Sequence, residues 1–591
     1  MMPFAIIVPP ILAILAIVLV RNNESSKYIA LAGSLASFIL LPLVEIGSST
    51  LYWFSVGSVQ LSITATLASF NYMVLWIVLL IGMLVIVYSF GFMDTPSEQK
   101  RYYVEMLSFE VAMLSLAMAG NFMMLFIGWE FLSLTSYLLI GFWHGRERAI
   151  AAARKAITIV FVGDIAFFAS MIIFQSTFGT LQFGLILSKT ASANFPQAAV
   201  GLLVIAILTK SAQFPFHEWL PDAMEGPTPV SAFLHSTTMV KAGVFTAIIL
   251  FPLLLAAKTL NLIFLIGIVT VVIGMVSAFR EQHIKRVLAY STVQELGLML
   301  IAVANNALLA AIYFFFVQSF YKALLFLSSG VTMKANEKEN LDEISGIRRS
   351  RITYITTIFG VLSIAGFVPF AGFFANVGIA SSFSNNLIVY IVISIVSLGT
   401  SFYMFRWLLL QRKRAGSARI ALNYRSTPQS MLFSMAALAV FTLATSIVFF
   451  LLPELLQGAE LGTAGTSLSL NLYDAILEIV VVAVGAAMSY LIYRQRKKVV
   501  PKKTETARTQ PMMHMTWMTN TAYGHIAAFA GALAGVFEYL DSRINDRFDS
   551  LGHLVMISGI SSRRMATGRM NTYVVAFVVG LLILAFAALV I

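Results

Sequence analysis

Apolar runs long enough to cross a bilayer recur along almost the whole chain. Ala5–Val20, Val74–Phe90 and Tyr573–Ile591 are nearly free of charge and approach the ~20 residues that a spanning helix needs. Within hydrocarbon every backbone N–H and C=O must be satisfied inside the chain, so runs of this length fold as helices. The 591 residues are 59% hydrophobic and only 11% charged, against roughly 25% charged in a soluble domain. A single water-soluble core is excluded. The first run has no basic leader and no small-residue cleavage site, so it reads as a retained helix rather than a signal peptide.

Taken in order, the runs predict an all-α polytopic membrane protein with about sixteen transmembrane helices. Residues 1–103 hold three N-terminal helices, and 104–256 and 257–410 form two five-helix units. Residues 411–511 hold two more helices and a basic linker, 512–571 an amphipathic helix, and 572–591 a last span. Nearly all of the 39 lysines and arginines follow odd-numbered helices. Only Lys189 and Lys258 follow even-numbered ones, while Lys210, Lys241 and Lys322 fall within helices. This alternation puts the basic loops on the cytoplasmic face of a cell (inner) membrane and both termini on the outer face. The net charge of +12 is then a set of topology anchors beside lipid, not a nucleic-acid footprint.

There is no cysteine, which excludes thiolate-bound iron–sulfur clusters, zinc–thiolate sites and disulfides in this chain. No G-x-G-x-x-G follows a strand, and no phosphate-binding G-x-x-x-x-G-K-[ST] is present. The expectation is no cofactor and no metal here, with a gradient or a partner supplying the driving force.

Leu51–Leu67 alternates apolar and small polar residues, the pattern of a short hairpin, placed on the outer face. Residues 494–511 are polar with prolines at 501 and 511, and read as a cytoplasmic linker. From Thr521 to Ser558, Ile526, Phe529, Leu533, Val536, Phe537 and Leu540 recur at helical spacing between charges. That stretch suits a lateral helix along a membrane or partner, or a surface helix packed on its own subunit.

Two spans look broken. Thr209–His217 has a proline five residues after Lys210, and Ala365–Gly372 clusters Gly and Pro inside the twelfth run. Interruptions five helices apart are the sequence mark of two inverted five-helix repeats.

An ionisable side chain in hydrocarbon costs roughly 2.5–3.5 kcal/mol on insertion scales, so each needs a partner, water or a function. Here they form a series: Glu130, Asp164, Lys210, His235, Lys241 and Lys322. Any one alone fits a structural ion pair. As a series they fit a proton relay, because neighbouring charges drive proton uptake and release and a desolvated lysine releases its proton more readily. A Glu130–Lys210 pair that opens would release a proton from Lys210. Glu105 and Glu110 fit an anchoring role near the cytoplasmic mouth, and Glu295 an intake-side acceptor. Asp474 and Glu478, four apart, either serve a neighbouring subunit or face the interface; the sequence does not choose.

Gly128–Phe142, Lys210–Pro215, Trp219–Ala232, His235–Val244, Ile284–Thr292 and Lys322–Leu327 closely resemble the proton-pumping antiporter-like subunits of complex I. The ending Ala566–Tyr573 resembles the distal, largest (L-type) subunit. The resemblance implies that Glu130 is the charge-pairing acid, Lys210 the central lysine, Lys241 the connecting lysine and Lys322 a further relay group. It also implies a lateral helix bracing other membrane-arm subunits, including the smaller antiporter-like ones, with redox centres in partner subunits of an NADH-quinone type oxidoreductase.

Four positions depart from the family pattern. Asn376 stands where a lysine or glutamate is usual, Phe314 and Gln318 where histidines precede the lysine, and Phe161 where an arginine accompanies the acid at 164. Asparagine holds no charge, which leaves water or Lys322 to complete an exit through the second unit. Related readings are a subunit of a multisubunit cation/proton antiporter or of a ferredoxin-linked hydrogenase, and a brace that does not pump.

Overall fold

The computed structural model describes residues 2–494, apart from 57–58, 94–95, 193–194, 385 and 456–470. The expected lateral helix at 512–571 and last span at 572–591 lie outside the described residues, as does all but the first residue of the linker.

Each apolar run from residue 4 to 493 is helical. The first are α1 (Val8–Leu19) and α2 (Ser26–Leu40), followed by an antiparallel hairpin of β1 (Gly47–Val56) and β2 (Val59–Leu67) with Gly47 opposite Leu67. Long helices α3 (Ser69–Phe92), α4 (Pro96–Ala117), α5 (Phe122–Ile140) and α6 (Glu147–Phe178) come next. The short α7 (Phe183–Leu187) leads to α8 (Gln197–Lys210), α9 (Trp219–Asp222), α10 (Thr228–Ser236), α11 (Met239–Ile249) and α12 (Phe251–Ala256). Then follow α13 (Leu260–Arg280), α14 (Ile284–Ala304) and α15 (Leu308–Asn336). The described part closes with α16 (Arg351–Ile364), α17 (Ala371–Ser381), α18 (Leu387–Gln411), α19 (Ala418–Arg425), α20 (Gln429–Leu455) and α21 (Leu472–Arg494). Among the described residues eleven helices are long and apolar enough to cross a membrane.

Burial sorts these helices into a centre and a rim. The spans Thr228–Ile249 and Leu308–Asn336 are 94% buried and Ile284–Ala304 is 89% buried, whereas Leu472–Arg494 is only 22% buried. On α6, Phe161, Ile165, Phe168 and Ile172 stay exposed at helical spacing, an apolar stripe of the kind that meets lipid or another subunit. Phe161, where an arginine was expected, is therefore on the outside, while Asp164 is buried.

Both expected breaks occur. α8 stops at Lys210, with Ala212 in the left-handed region at φ +48. α16 stops at Ile364, with Gly366 there at φ +81. Pro215 and Pro369 cannot donate to a helical ladder, so neither helix can resume at once. The freed carbonyls of α8 are taken up locally: Gln213 N–H donates to Leu208 at 2.9 Å, and Trp219 Nε1–H to Thr209 at 3.0 Å. Such capture is what a bilayer requires of a broken helix. The eighth run, expected to be one helix, is interrupted as well. α10 and α11 are separated at Thr237 and Thr238, the latter at φ −121 and ψ −106.

Candidate functional site

The first cluster gathers where α5, α6 and α8 meet. Lys210 is fully buried and is the last residue of α8, where the negative end of the helix dipole favours a cation. Its Nζ donates to the Trp129 carbonyl at 3.1 Å and to Ser133 Oγ, and lies 4.7 Å from the centre of the Trp129 ring. Its ion pair is with Asp164 Oδ1 at 3.6 Å. Asp164 also accepts from Trp129 Nε1 at 2.7 Å and from Ser133 Oγ at 3.1 Å.

This corrects the expected Glu130–Lys210 pair. Glu130 is half-buried beside the cluster and within electrostatic reach of Lys210, but the contact belongs to Asp164. The reason is helical geometry. Trp129 and Ser133 are four residues apart and share a face of α5, and Glu130 is turned about 100° from Trp129.

Lys241 forms the middle of the series. It is fully buried, and its Nζ donates to the Phe315 carbonyl and to Ser319 Oγ, each at 2.5 Å. The first cluster is its neighbour, because α8 and α11 touch where Ser211 meets Gly243. A Cβ on Gly243 would come within 2.2 Å of Ser211 Oγ and 2.5 Å of the Ile207 carbonyl. On the other side, Lys241 lies within the electrostatic reach of Glu295 and Lys322. His235 is fully buried in the last turn of α10, and neither ring nitrogen has a hydrogen-bond partner among the described residues.

A second lysine–carboxylate pair joins α14 and α15. Lys322 Nζ meets Glu295 Oε2 at 3.0 Å and donates to Ser291 Oγ at 2.5 Å. Gln318 Nε2, at a position where the family pattern has histidine, donates to Glu295 Oε2 at 3.1 Å. Both charged residues are buried.

Lys210, Lys241 and Lys322 thus each end on a serine hydroxyl: Ser133, Ser319 and Ser291. A hydroxyl both donates and accepts, so it can hand a proton on without holding a charge.

Two of the family descriptions match the chain. One, "NADH:quinone oxidoreductase/Mrp antiporter, TM", covers residues 119–403, and the other, "NADH-Ubiquinone oxidoreductase (complex I), chain 5 N-terminus", covers residues 53–103. The chloroplast NAD(P)H-quinone oxidoreductase subunit 5 of Chaetosphaeridium globosum is 31% identical, over 88% of this chain and 86% of that protein. The chain belongs to this family. The chloroplast subunit 5 of Dioscorea elephantipes is 36% identical over 60% of this chain, which there spans half the length of the relative. A solved chain from the Mrp complex of Dietzia sp. DQ12-45-1b shares the fold at a TM-score of 0.74 and 22% identity, with all of this chain matched to 62% of that one.

In this subunit 5 homologue, two carboxylates other than Glu130 hold the lysines' ion pairs. Asp164 proves the direct partner of Lys210, and Glu295, held apart as an intake-side acceptor, is the partner of Lys322. A signal for the second was present. Ser291 and Glu295 are four apart on one helix face, spacing that lets both meet one ammonium. A charged group at the break was not foreseen: Lys155 pairs with Glu218 at 3.1 Å and Asp222 at 2.8 Å, and Arg286 approaches Asp222 and Glu225.

Proposed function

We propose that this chain is a proton-translocating membrane-arm subunit of an NAD(P)H-quinone oxidoreductase of the complex I type, with no redox centre of its own. The observation that carries this reading is the pair of buried contacts Lys210–Asp164 and Glu295–Lys322, with Lys241 on one of the most buried of the described helices. Stability alone is a weak reason to keep such pairs, since desolvation offsets most of the Coulomb gain. Inside a membrane they mark ion pathways by default. His235 adds to this, because a buried imidazole without protein partners requires water, and a file of buried polar groups with water carries protons.

Each lysine works as a station. Asp164 and Glu130 offer Lys210 two carboxylates of different burial, so a charge change next door shifts the balance between them. When Lys210 gives up its proton, Asp164 is left with the Trp129 and Ser133 donors already aimed at it. Protons pass by way of Lys241 to the Glu295–Lys322 pair. The energy comes from quinone reduction in partner subunits, which hold the redox cofactors. The partners are the other membrane-arm subunits, the smaller antiporter-like ones among them, and lipid. The basic loops face the cytoplasm or its organellar equivalent, and the termini face the opposite side.

The test is proton pumping by the assembled complex in sealed vesicles, with assembly checked on native gels. Lys210→Ala and Glu295→Gln are each expected to abolish most of the pumping linked to quinone reduction. Normal pumping in both variants would favour a non-pumping brace. Cation/proton exchange that needs no quinone reduction would favour the antiporter reading that the shared fold allows.

A further inference from the structure

The second broken helix has the shape of the first but not its charge. Where α8 ends on Lys210, α16 ends on Ile364, and α17 carries Asn376 and no ionisable residue. The charge comes instead from α21. Glu478 Oε1 accepts a hydrogen bond from Asn376 Nδ2 at 2.8 Å. A Cβ built on Gly366, the left-handed residue of the break, would lie 2.8 Å from that amide and 3.1 Å from that carboxylate oxygen. Only glycine both takes this backbone conformation readily and leaves room for the carboxyl. Glu478 is 6% exposed, and among the described residues no lysine or arginine forms an ion pair with it. A buried carboxyl at membrane depth with an amide as its partner calls for a functional explanation.

Polar side chains lead to it from the lysine pair and away from it to the surface. Gln294, next to Glu295, donates to Thr400 Oγ1 at 2.6 Å and accepts from Tyr403 Oη at 3.1 Å. Ser397, one turn before Thr400 on α18, neighbours the Glu478 carboxyl. On the far side, one turn back along α21, Asp474 accepts from Tyr390 Oη at 2.7 Å while its Oδ2 is buried and without a partner among the described residues. Asp474 lines a cavity of about 440 Å³ between α18 and α21, bordered by Ser384 and Asn471.

We propose that Glu478 is the terminal proton-carrying group of the second unit, standing at the break of α16 as Lys210 stands at the break of α8, with release through Asp474 into that cavity. The proposal rests on the reading of the chain as a proton conductor. A proton delivered from the Glu295–Lys322 pair along the Gln294, Tyr403 and Thr400 groups converts the Glu478 carboxylate to the acid. Its onward transfer to Asp474 and then to water restores the carboxylate, so no other reactant is needed. The uncharged Asn376 becomes the residue that orients this carboxyl.

The experiment compares Glu478→Gln and Glu478→Asp in the assembled complex, in vesicles, beside Lys210→Ala. Gln keeps the size and the acceptor oxygen for Asn376 but does not titrate, whereas Asp titrates and is shorter. Protons pumped per quinone reduced are expected to fall by at least half in Glu478→Gln and to recover toward wild type in Glu478→Asp. A structural role predicts the reverse order, and Gln equal to or better than Asp overturns the proposal. If Lys210→Ala abolishes pumping while Glu478→Gln pumps normally, only the role of Glu478 is lost. If all three pump normally, the conduction reading falls with it.

Discussion

At the scale of single residues, the exchange of Glu130 for Asp164 as the partner of Lys210 changes which substitution matters most. Asp164→Asn keeps an acceptor for Trp129 but leaves Lys210 without its carboxylate, and breaking a buried pair costs about 3–5 kcal/mol when the remaining group stays charged. Asp164→Asn is therefore expected to lower both the pumping rate and the thermal stability of the complex. Glu130→Gln, at a half-buried position outside the ion pair, is expected to lower pumping with little change in melting temperature. Equal melting shifts in the two variants would count against this division of roles. Outside the spans, Glu339 serves as a control. The hydrogen bond from His283 is the main cause that holds its carboxyl at about 2, below the ~4.3 of an unfolded glutamate. Its stabilising contribution is fully present above ~4.3 and is lost as pH falls through about 2. Glu339→Gln removes a carboxylate within electrostatic reach of Lys285, so the pH profile of pumping near neutrality should stay unmoved only if Lys285 lies outside the path. A displaced profile would bring this loop into the proton path.

At the scale of elements, the breaks were legible where proline and glycine announce them and hidden where they do not. Pro215, Gly366 and Pro369 mark the interruptions of α8 and α16 in the sequence itself. The interruption between α10 and α11 sits at Thr237-Thr238, two residues with no fixed backbone preference against a helix. Side-chain hydroxyls that bond to the preceding turn make it possible there: Thr238 Oγ1 donates to the Phe233 carbonyl at 2.9 Å. The site followed the same rule. Which residues are charged and buried could be read from the runs, but which carboxylate meets which lysine depends on helix rotation and on serines that composition does not single out. The junction of α8 and α11 can be tested with two alanines. Gly243→Ala puts a methyl 2.5 Å from the Ile207 carbonyl, a contact that backbone alone can relieve. It is expected to displace Lys210 from Asp164 and to lower pumping and assembly together. Gly201→Ala, earlier in α8 and with open space around it, should be neutral or slightly stabilising, since alanine is favoured over glycine in a helix by roughly 0.5–1 kcal/mol. Equal damage from both would mean that the junction is not tight in the working complex.

At the scale of the whole molecule, the question is whether the two broken helices belong to two channels or one. Each unit has its own lysine–carboxylate pair, Lys210–Asp164 and Lys322–Glu295, which by itself suits two independent routes. Lys241 argues for one. Among the described residues it has no carboxylate of its own; it ends on α15, the helix that also carries Lys322, and its own helix touches the end of α8 beside Lys210. A charge at the Lys322–Glu295 pair is thus felt by Lys241, packing joins Lys241's helix to the end of α8, and in one file a block anywhere stops conduction. Substitutions in independent routes combine, whereas those in a single unit are grossly non-additive. Lys210→Ala, Lys322→Ala and the double variant should therefore be compared for protons pumped per quinone reduced. One file predicts that the double variant pumps no less than the worse single variant. Two routes predict that each single variant keeps the share carried by the intact unit and that the double variant loses both. Lys241→Gln decides the same question from the middle, since it leaves both ion pairs untouched. A loss of pumping as deep as that of Lys210→Ala would place the two units in series, and a residual share from each unit would place them in parallel.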